Sequence, residues 1–236
     1  MMKKTALSLS IAAAFAASIP AYAHEAGDIL VRGRIINIAP SGTSENLKLD
    51  GTELKDSAVE AQSKATLDID ITYMISKNWG VELLLDIPTK HDVEVSGESI
   101  PLLQVPTGGT APKGLKIMET GVLPPALIAQ YHFMPDAKFQ PYVGAGINYT
   151  FFYSEKADNN LSSVLNNITK AEVENEFGLT AQIGADFMMD NGWFLNADVK
   201  YIALEPTAKI TSDTGIVETK VKLNPWVFGI GVGKSF

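Results

Sequence analysis

The sequence predicts an all-β protein, an eight-stranded antiparallel up-and-down β-barrel that spans a membrane. Three observations predict it. Apolar and polar residues alternate with a period of two along eight segments, which is the pattern of strands whose two faces meet different surroundings. Short turns and long segments alternate between these strands, as they do in outer-membrane barrels. After the first residues, no apolar stretch approaches the roughly 18 residues that a membrane-spanning helix requires.

The N-terminus has the features of a secretory signal peptide. Two lysines precede an apolar core from Ala6 to Ile19, and an Ala-Tyr-Ala cleavage signature ends at Ala23. An uncleaved membrane anchor is the alternative, but the apolar core is short and the cleavage site follows it directly. We therefore expect a signal peptide over residues 1–23 and one outer-membrane barrel domain over residues 24–236.

The composition excludes several functional classes. The chain has no cysteine, which excludes a disulfide scaffold, a thiolate zinc site and a cysteine nucleophile. Its formal net charge of −8 argues against a nucleic-acid partner. The three histidines, His24, His91 and His132, are far apart and show no metal-ligand spacing, so the sequence predicts neither a metal site nor a cofactor.

The clearest strand has apolar residues such as Leu67 and Ile69 on one face and Asp68 and Asp70 on the other. Two acidic residues at positions i and i+2 are unusual in a buried strand of a soluble protein. In chain order, the eight predicted strands are Ile29–Ile38, Ala65–Met74, Trp79–Ile87, Leu123–Phe133, Gln140–Phe152, Phe177–Phe187, Trp193–Tyr201 and Leu223–Phe236. Four long segments, which we expect to be extracellular loops, lie near residues 40–63, 90–117, 153–175 and 205–220.

The volume of the barrel decides which strand face points inward. A lipocalin-like soluble barrel would bury the apolar face, and a membrane barrel would expose it. An eight-stranded barrel has an interior just wide enough for side chains, so on the order of forty apolar residues would not fit inside. The polar face therefore lines the lumen, where buried charges must be paired. Its predicted charged residues are Arg32, Arg34, Lys90, Lys200, Asp68, Asp70, Glu82, Asp86, Asp186 and Asp198.

Aromatic residues near the strand ends predict two interfacial girdles. Those near the short turns and termini are Tyr73, Trp79, Tyr131, Phe133, Phe187, Trp193 and Phe236. Those toward the long segments are Tyr149, Phe151, Tyr201 and Trp226.

Several segments share their order and spacing with a known family. They are His24–Asp28, Thr72–Met74, Trp79–Leu83, Leu123–Pro125, Pro141–Thr150 and Asn224–Val227. Together they resemble the OmpW family of outer-membrane proteins, which includes the alkane-uptake protein AlkL. The resemblance implies a narrow, partly hydrophobic lumen and passive uptake of small hydrophobic molecules. It also implies contact with outer-membrane lipid and lipopolysaccharide, and an assembly signal for the barrel assembly machinery at Phe236.

Apolar residues on the inward face predict the path of such a solute. They form a vestibule with a hydrophobic floor, as ligand sites usually do. The alternative is that they only plug the barrel. The residues are Ile36, Ile38, Phe152 and Ile202 near the long segments, with Leu84 and Ile128 deeper.

Pro124 and Pro125 are the sharpest local feature, because proline cannot donate a hydrogen bond to a strand ladder. One hypothesis is a lateral opening between the third and fourth strands; the alternative is a plain strand start or bulge. The resemblance also implies a gate at Phe177, where relatives often carry a tryptophan. Strict alternation, however, points Phe177 outward.

Two other functions compete with uptake. A structural or adhesive barrel would use its loops rather than its lumen. An acyl-transferring or lipid-cleaving enzyme needs a nucleophile with a base, and His91, Asp92 and Ser96 share one segment. Because solvated loop residues of these types are common, we expect no enzymatic activity.

Overall fold

The alternating segments form strands in the computed structural model, which describes residues 24–96, 113–159, 165 and 167–236. The predicted signal peptide lies outside this part of the chain. No helix among the described residues is long and apolar enough to cross a membrane. A 3₁₀ turn spans Asp190–Gly192. The strands are β1 (Ile29–Ala39), β2 (Lys48–Leu49), β3 (Thr52–Glu53), β4 (Val59–Ala61), β5 (Lys64–Met74), β6 (Trp79–Asp86), β7 (Thr89–Val95), β8 (Lys116–Leu123), β9 (Ala126–His132), β10 (Phe139–Ala157), β11 (Lys170–Val173), β12 (Glu176–Met188), β13 (Trp193–Ala203), β14 (Thr207–Ser212), β15 (Gly215–Lys220) and β16 (Trp226–Ser235).

Eight of these strands form a closed antiparallel barrel: β1, β5, β6, β9, β10, β12, β13 and β16. Each is hydrogen-bonded to two neighbours, and the pairing of β1 with β16 closes the ring. The predicted eight-stranded up-and-down barrel is therefore confirmed. We call the end with the short connections the turn end and the other end the loop end.

The apolar strand faces point outward. On β5, the side chains of Leu67 and Ile69 are 51% and 47% exposed. Asp68, which lies between them, and Asp70, which follows Ile69, are buried. Since side chains alternate across a strand, this direction holds along the whole strand. The barrel consequently has an apolar outer wall and a polar lumen.

Aromatic side chains ring this wall at two heights, as predicted. At the turn end, the ring centroids of Trp79 and Tyr131 are 5.1 Å apart. Toward the loop end, the Tyr201 and Trp226 centroids are also 5.1 Å apart. Such belts mark the two interfaces of the apolar band of a membrane barrel.

The long connections contain more β-structure than the sequence predicted. Strands β7 and β8 continue the walls made by β6 and β9, and β4 pairs with β7. A separate five-stranded sheet has the order β11-β14-β15-β2-β3. These elements enclose an apolar cluster at the loop end. Its buried members are Leu47, Val59, Val95, Ile117, Met118, Leu165, Ile210, Val217 and Val221.

Candidate functional site

The turn end of the lumen is closed by the N-terminal segment. Gly27 N–H donates to the Met74 carbonyl at 2.8 Å and His24 N–H to the Pro135 carbonyl at 3.3 Å. The buried His24 ring lies edge-on to Phe194, with centroids 6.4 Å apart. A buried apolar cluster completes this plug: Leu30, Met74, Met188 and Phe194.

A charged layer lies above the plug, and Arg32 is one of its two guanidinium centres. Its side chain is fully buried and contacts Asp70 at 3.0 Å and Asp186 at 2.8 Å. It also donates to Thr72 Oγ1 at 2.7 Å. The Tyr142 ring flanks the guanidinium at 5.4 Å.

Arg34 is the second centre. It contacts Asp198 at 2.7 Å and Asp70 at 2.8 Å, and it binds both carboxylate oxygens of Asp68. Lys200 contacts the same Asp198 carboxylate. Three cations and five carboxylates thus cross the lumen in one connected network.

Buried amides complete the network. Gln130 donates to Glu82 at 2.5 Å and to Gln182 at 3.1 Å, and Gln182 donates to Asp198 at 2.8 Å. Buried charges are costly unless paired and hydrogen-bonded, so these ion pairs and amide hydrogen bonds stabilise the layer, in which Asp198 Oδ1 has no hydrogen-bond partner. Its members come from β1, β5, β6, β9, β12 and β13, so the network crosses the lumen.

The prediction for Lys90 was wrong. Its side chain is exposed and pairs with Glu119 at 2.7 Å. The cause is a register shift: the β6–β9 ladder ends at Leu84↔Ala126, and the β7–β8 ladder begins at Thr89↔Val122. A shift of one residue reverses the strand faces, so His91 points inward instead of Lys90.

Asp86 lies at the upper edge of the charged layer, at the floor of the cavity described below. Its Oδ1 is buried and has no hydrogen-bond partner. Beside it, Leu84, Ala126 and Ile128 form a small buried apolar cluster.

The remaining predicted path residues surround an apolar cavity at the loop end. The cavity contains about 1170 Å³ of space free of protein atoms, part of it open to solvent, and its lining includes Ile38, Phe152 and Ile202. Ile36 packs with Phe152 and Ile202 in the same buried cluster. The few polar side chains at its wall are Asp86, Thr89, His91, Thr120, Glu218 and Thr219.

His91 is the histidine of the cavity wall, and it lies beyond the upper girdle. Its Nε2 lies 3.1 Å from Thr89 Oγ1, and its Nδ1 lies 3.4 Å from the Gln62 carbonyl oxygen. Burial lowers the pKa of His91 below its ordinary value of 6.5, and Lys64 lowers it further. Among the described residues, His91 forms no hydrogen bond with Asp92 or Ser96.

We call the boundary between the third and fourth barrel strands, β6 and β9, the seam. The backbone pairing across this seam is interrupted beside the cavity. Residues 85–88 and 123–125 have no partner across the seam, because pairing stops at Leu84↔Ala126 and resumes at Thr89↔Val122. Three prolines lie in the break, Pro88 on one side and Pro124 and Pro125 on the other. None has an N–H to donate.

The break is confined to this seam. On the other side of the fourth strand, Tyr149 N–H donates to the Pro125 carbonyl at 3.1 Å, and Phe151 pairs with Leu123. Pro124 also lines the cavity, so the cavity reaches the break. Sequence reasoning identified Pro124 and Pro125 but missed Pro88, whose importance depends on the cross-strand register.

Phe177 does not point into the lumen. Its side chain is 71% exposed on the outer wall, where its ring centroid lies 4.5 Å from that of Tyr149. The gate that the resemblance implied at this position is therefore corrected: Phe177 belongs to the upper girdle, in the direction that alternation predicted.

The structure also gathers residues that the sequence left apart. His24, His132 and Asp186 are all buried at the turn end, and their potential ligand atoms lie within 4.8 Å of one another. They come from the N-terminal segment, β9 and β12, so no short spacing in the sequence could reveal them.

Comparisons with known proteins agree with this architecture. The sequence model of the OmpW family matches residues 25–236. Outer membrane protein W of Vibrio cholerae is 33% identical over 236 residues, which cover 100% of both chains. Outer membrane protein AlkL of Ectopseudomonas oleovorans is 27% identical over 192 residues, covering 81% of this chain and 74% of AlkL. The crystal structure of OprG from Pseudomonas aeruginosa superposes with a TM-score of 0.80 at 30% identity, covering 91% of this chain and 98% of OprG.

Proposed function

The chain belongs to the OmpW family of outer-membrane proteins, and we propose that it mediates passive uptake of small hydrophobic molecules across the outer membrane. One observation carries the proposal. The loop-end cavity is lined mainly by apolar side chains and reaches the unpaired seam, whereas charged side chains fill the lumen below. An apolar solute would enter at the loop end and leave sideways into the bilayer.

The charged layer makes the straight route through the barrel unfavourable. A solute on this route would have to separate buried pairs such as Arg34–Asp198 and Arg32–Asp186. Separating a buried ion pair leaves uncompensated charges, and an apolar molecule offers them no replacement hydrogen bonds. The break beside Pro124 needs no such rearrangement, since no ladder hydrogen bonds close it.

Lipid, lipopolysaccharide and the assembly machinery are the partners we infer. The lipid bilayer receives the solute, and lipopolysaccharide surrounds the loop end. Phe236 is 68% exposed at the turn end, where it is accessible as the terminal assembly signal.

A structural or adhesive barrel is the second candidate. The five-stranded sheet at the loop end favours it, because this sheet gives the loop end an ordered surface that a partner could contact. The two functions differ in one measurable respect: only the uptake function requires the cavity and the seam.

The test compares the uptake of a graded series of apolar solutes by cells with and without the protein. Two variants separate binding from exit. Ile202→Arg puts a charge into the cavity and should abolish both solute binding and uptake. Replacement of Pro88, Pro124 and Pro125 by threonine supplies the missing donors and should slow uptake while solute binding persists.

Matched controls accompany both variants. Ile216→Arg places the same charge at an exposed loop-end position, and Pro141→Thr changes a barrel proline away from the seam. Folding is checked by the heat-dependent gel mobility of each barrel. Normal uptake by the folded threonine variant would contradict lateral exit. Equal uptake with and without the protein would contradict transport and favour the structural barrel.

A further inference from the structure

We propose that the turn-end plug binds a divalent transition-metal ion of the Zn²⁺ or Cu²⁺ class through His24, His132 and Asp186. This site is independent of solute uptake and lies at the opposite end of the lumen from the cavity. Its three ligands would connect the N-terminal segment to two barrel strands.

The geometry is close to that of a metal site. The candidate ligand atoms lie within 4.8 Å of one another, and the two imidazole rings meet at 85° with centroids 5.3 Å apart. Zinc–nitrogen bonds are about 2.0–2.1 Å long, so ligand atoms on one ion are at most about 4.2 Å apart. Small side-chain rotations are therefore enough to complete the site.

Unsatisfied ring nitrogens are the second observation. Both nitrogens of His24 and Nδ1 of His132 are buried without a hydrogen-bond partner. Buried polar atoms in proteins are nearly always paired with protein, water or an ion. A metal ion would satisfy Nδ1 of His132 and one nitrogen of His24.

The other nitrogen of His132 already has the partner that a metal ligand usually has. Its Nε2 lies 3.3 Å from Gln130 Oε1. A histidine that binds a metal through one nitrogen typically donates its other N–H to such an acceptor, which fixes the ring orientation and tautomer. With Nε2 donating to Gln130, Nδ1 is free to face the ion.

The local charge tolerates a cation despite Arg32. Asp186 accepts from Arg32 at 2.8 Å and from Asn196 at 2.7 Å, so it would be shared with the ion. The charged layer as a whole has five carboxylates for three cations. A divalent ion at its lower edge would offset this excess of negative charge.

The ligand set also specifies the class of ion. Imidazole suits zinc, copper and nickel, whereas magnesium and calcium prefer all-oxygen sites. If the predicted signal peptide is removed, His24 becomes the first residue and its free α-amino group supplies a fourth donor. The amine and Nδ1 of an N-terminal histidine can close a chelate ring on one ion.

The decisive experiment titrates the refolded, chelator-stripped protein, residues 24–236, with Zn²⁺ and Cu²⁺. Competition with a chromophoric chelator gives the affinity, and electron paramagnetic resonance of the Cu²⁺ form detects coordinated nitrogen. We expect one ion per barrel with nitrogen ligands. Folded His132→Gln should lose more affinity than the roughly 10–100-fold that loss of a ligand's hydrogen-bond partner costs.

His91→Gln is the matched control, since it removes a histidine far from the plug, and it should bind Zn²⁺ and Cu²⁺ with the affinity of the wild type. No ion bound to the folded wild type would overturn the proposal, as would equal affinity in the wild type and His132→Gln. An Asp186 variant is a poorer test, because it would also remove the buried ion pair with Arg32. One glycine added before His24 should weaken binding, and unchanged affinity would remove the amine from the ligand set.

Discussion

Arg34 and Asp68 form a two-pronged ion pair inside the barrel, with Nε–Oδ1 at 3.0 Å and Nη2–Oδ2 at 2.7 Å. The register of β1 and β5 places the two residues directly opposite each other. Such a pair, shielded from water and lipid, depends on both of its members.

Arg34→Met should destabilise the barrel by about 3–5 kcal/mol, because it leaves the buried Asp68 without its ion-pair partner and removes one of the two cations that contact Asp198. Reversible urea unfolding in lipid vesicles measures the loss. Lys90→Met is the control: it breaks an ion pair of the same length, 2.7 Å, at an exposed position. We expect this control to have little effect. Equal losses in the two variants would show that burial does not determine the value of these pairs.

Gly184 should not tolerate a larger residue. A Cβ at this position would lie 2.5 Å from the Tyr142 ring and 2.8 Å from Asp198 Cβ. Gly184→Ala should therefore cost about 1–3 kcal/mol through overpacking of the lumen. At Gly33 a Cβ would meet no atom within 4 Å, so Gly33→Ala is the control. The same unfolding assay compares both variants, and an equally stable Gly184→Ala would refute the prediction.

Solute affinity should fall in acid because of His91. Burial already holds the pKa of this ring below 6.5. Lys64 lowers this pKa further, whereas the Gln62 carbonyl and Asp92 raise it. An apolar solute removes further water from the ring and thus favours its neutral form. Binding should be strongest where His91 is neutral, and weaken as the pH falls through the lowered pKa.

Fluorescence titration with an apolar dye at pH 7.5 and pH 5 tests this dependence. The His91→Gln variant has no group that titrates at this position, so its affinity should change less between the two conditions. The same acid loss in wild type and variant would assign the effect to another group.

Asp86→Leu should increase solute affinity. The Asp86 carboxylate faces the cavity with one buried oxygen unpaired, and an unsatisfied buried polar group costs about 1–3 kcal/mol. Leucine, which branches at Cγ like aspartate and has the same number of side-chain non-hydrogen atoms, removes this cost and extends the apolar floor. The dye titration at pH 7.5 measures the change, with Glu218→Leu, at another acidic position of the cavity wall, as the control. Weaker binding by Asp86→Leu would show that the carboxylate assists the solute.

The sequence predicted all eight barrel strands because each shows apolar and polar residues alternating with a period of two. The alternation of Leu67, Asp68, Ile69 and Asp70 separates an apolar face from an acidic face, and the small interior of an eight-stranded barrel then directs the apolar face outward. Among the strands of the loop end, β2, β3 and β4 were missed because they have only two or three residues each. Two or three residues are too few to establish an alternation.

Parts of the site depend on register, which the sequence did not provide. The one-residue shift within residues 85–88 moved Lys90 outward and His91 inward. Likewise, His132 and Asp186 come together because both flank the start of β10: His132 pairs with Tyr142, and Asp186 pairs with Gln140. Such proximity follows from how three strands are aligned, not from their individual sequences.

The length of β10 has a consequence for the route of a solute. Its 19 residues rise about 3.3 Å each, so at a tilt of roughly 40° the strand extends roughly 45–50 Å along the barrel axis. The apolar band of an outer-membrane barrel is only about 25 Å tall. The loop end and its apolar cavity therefore extend beyond the hydrocarbon, and under the proposed uptake function a solute would leave water there before it reaches the hydrated head groups. Because this cavity has a finite capacity, uptake should saturate with solute concentration, unlike simple partitioning into lipid.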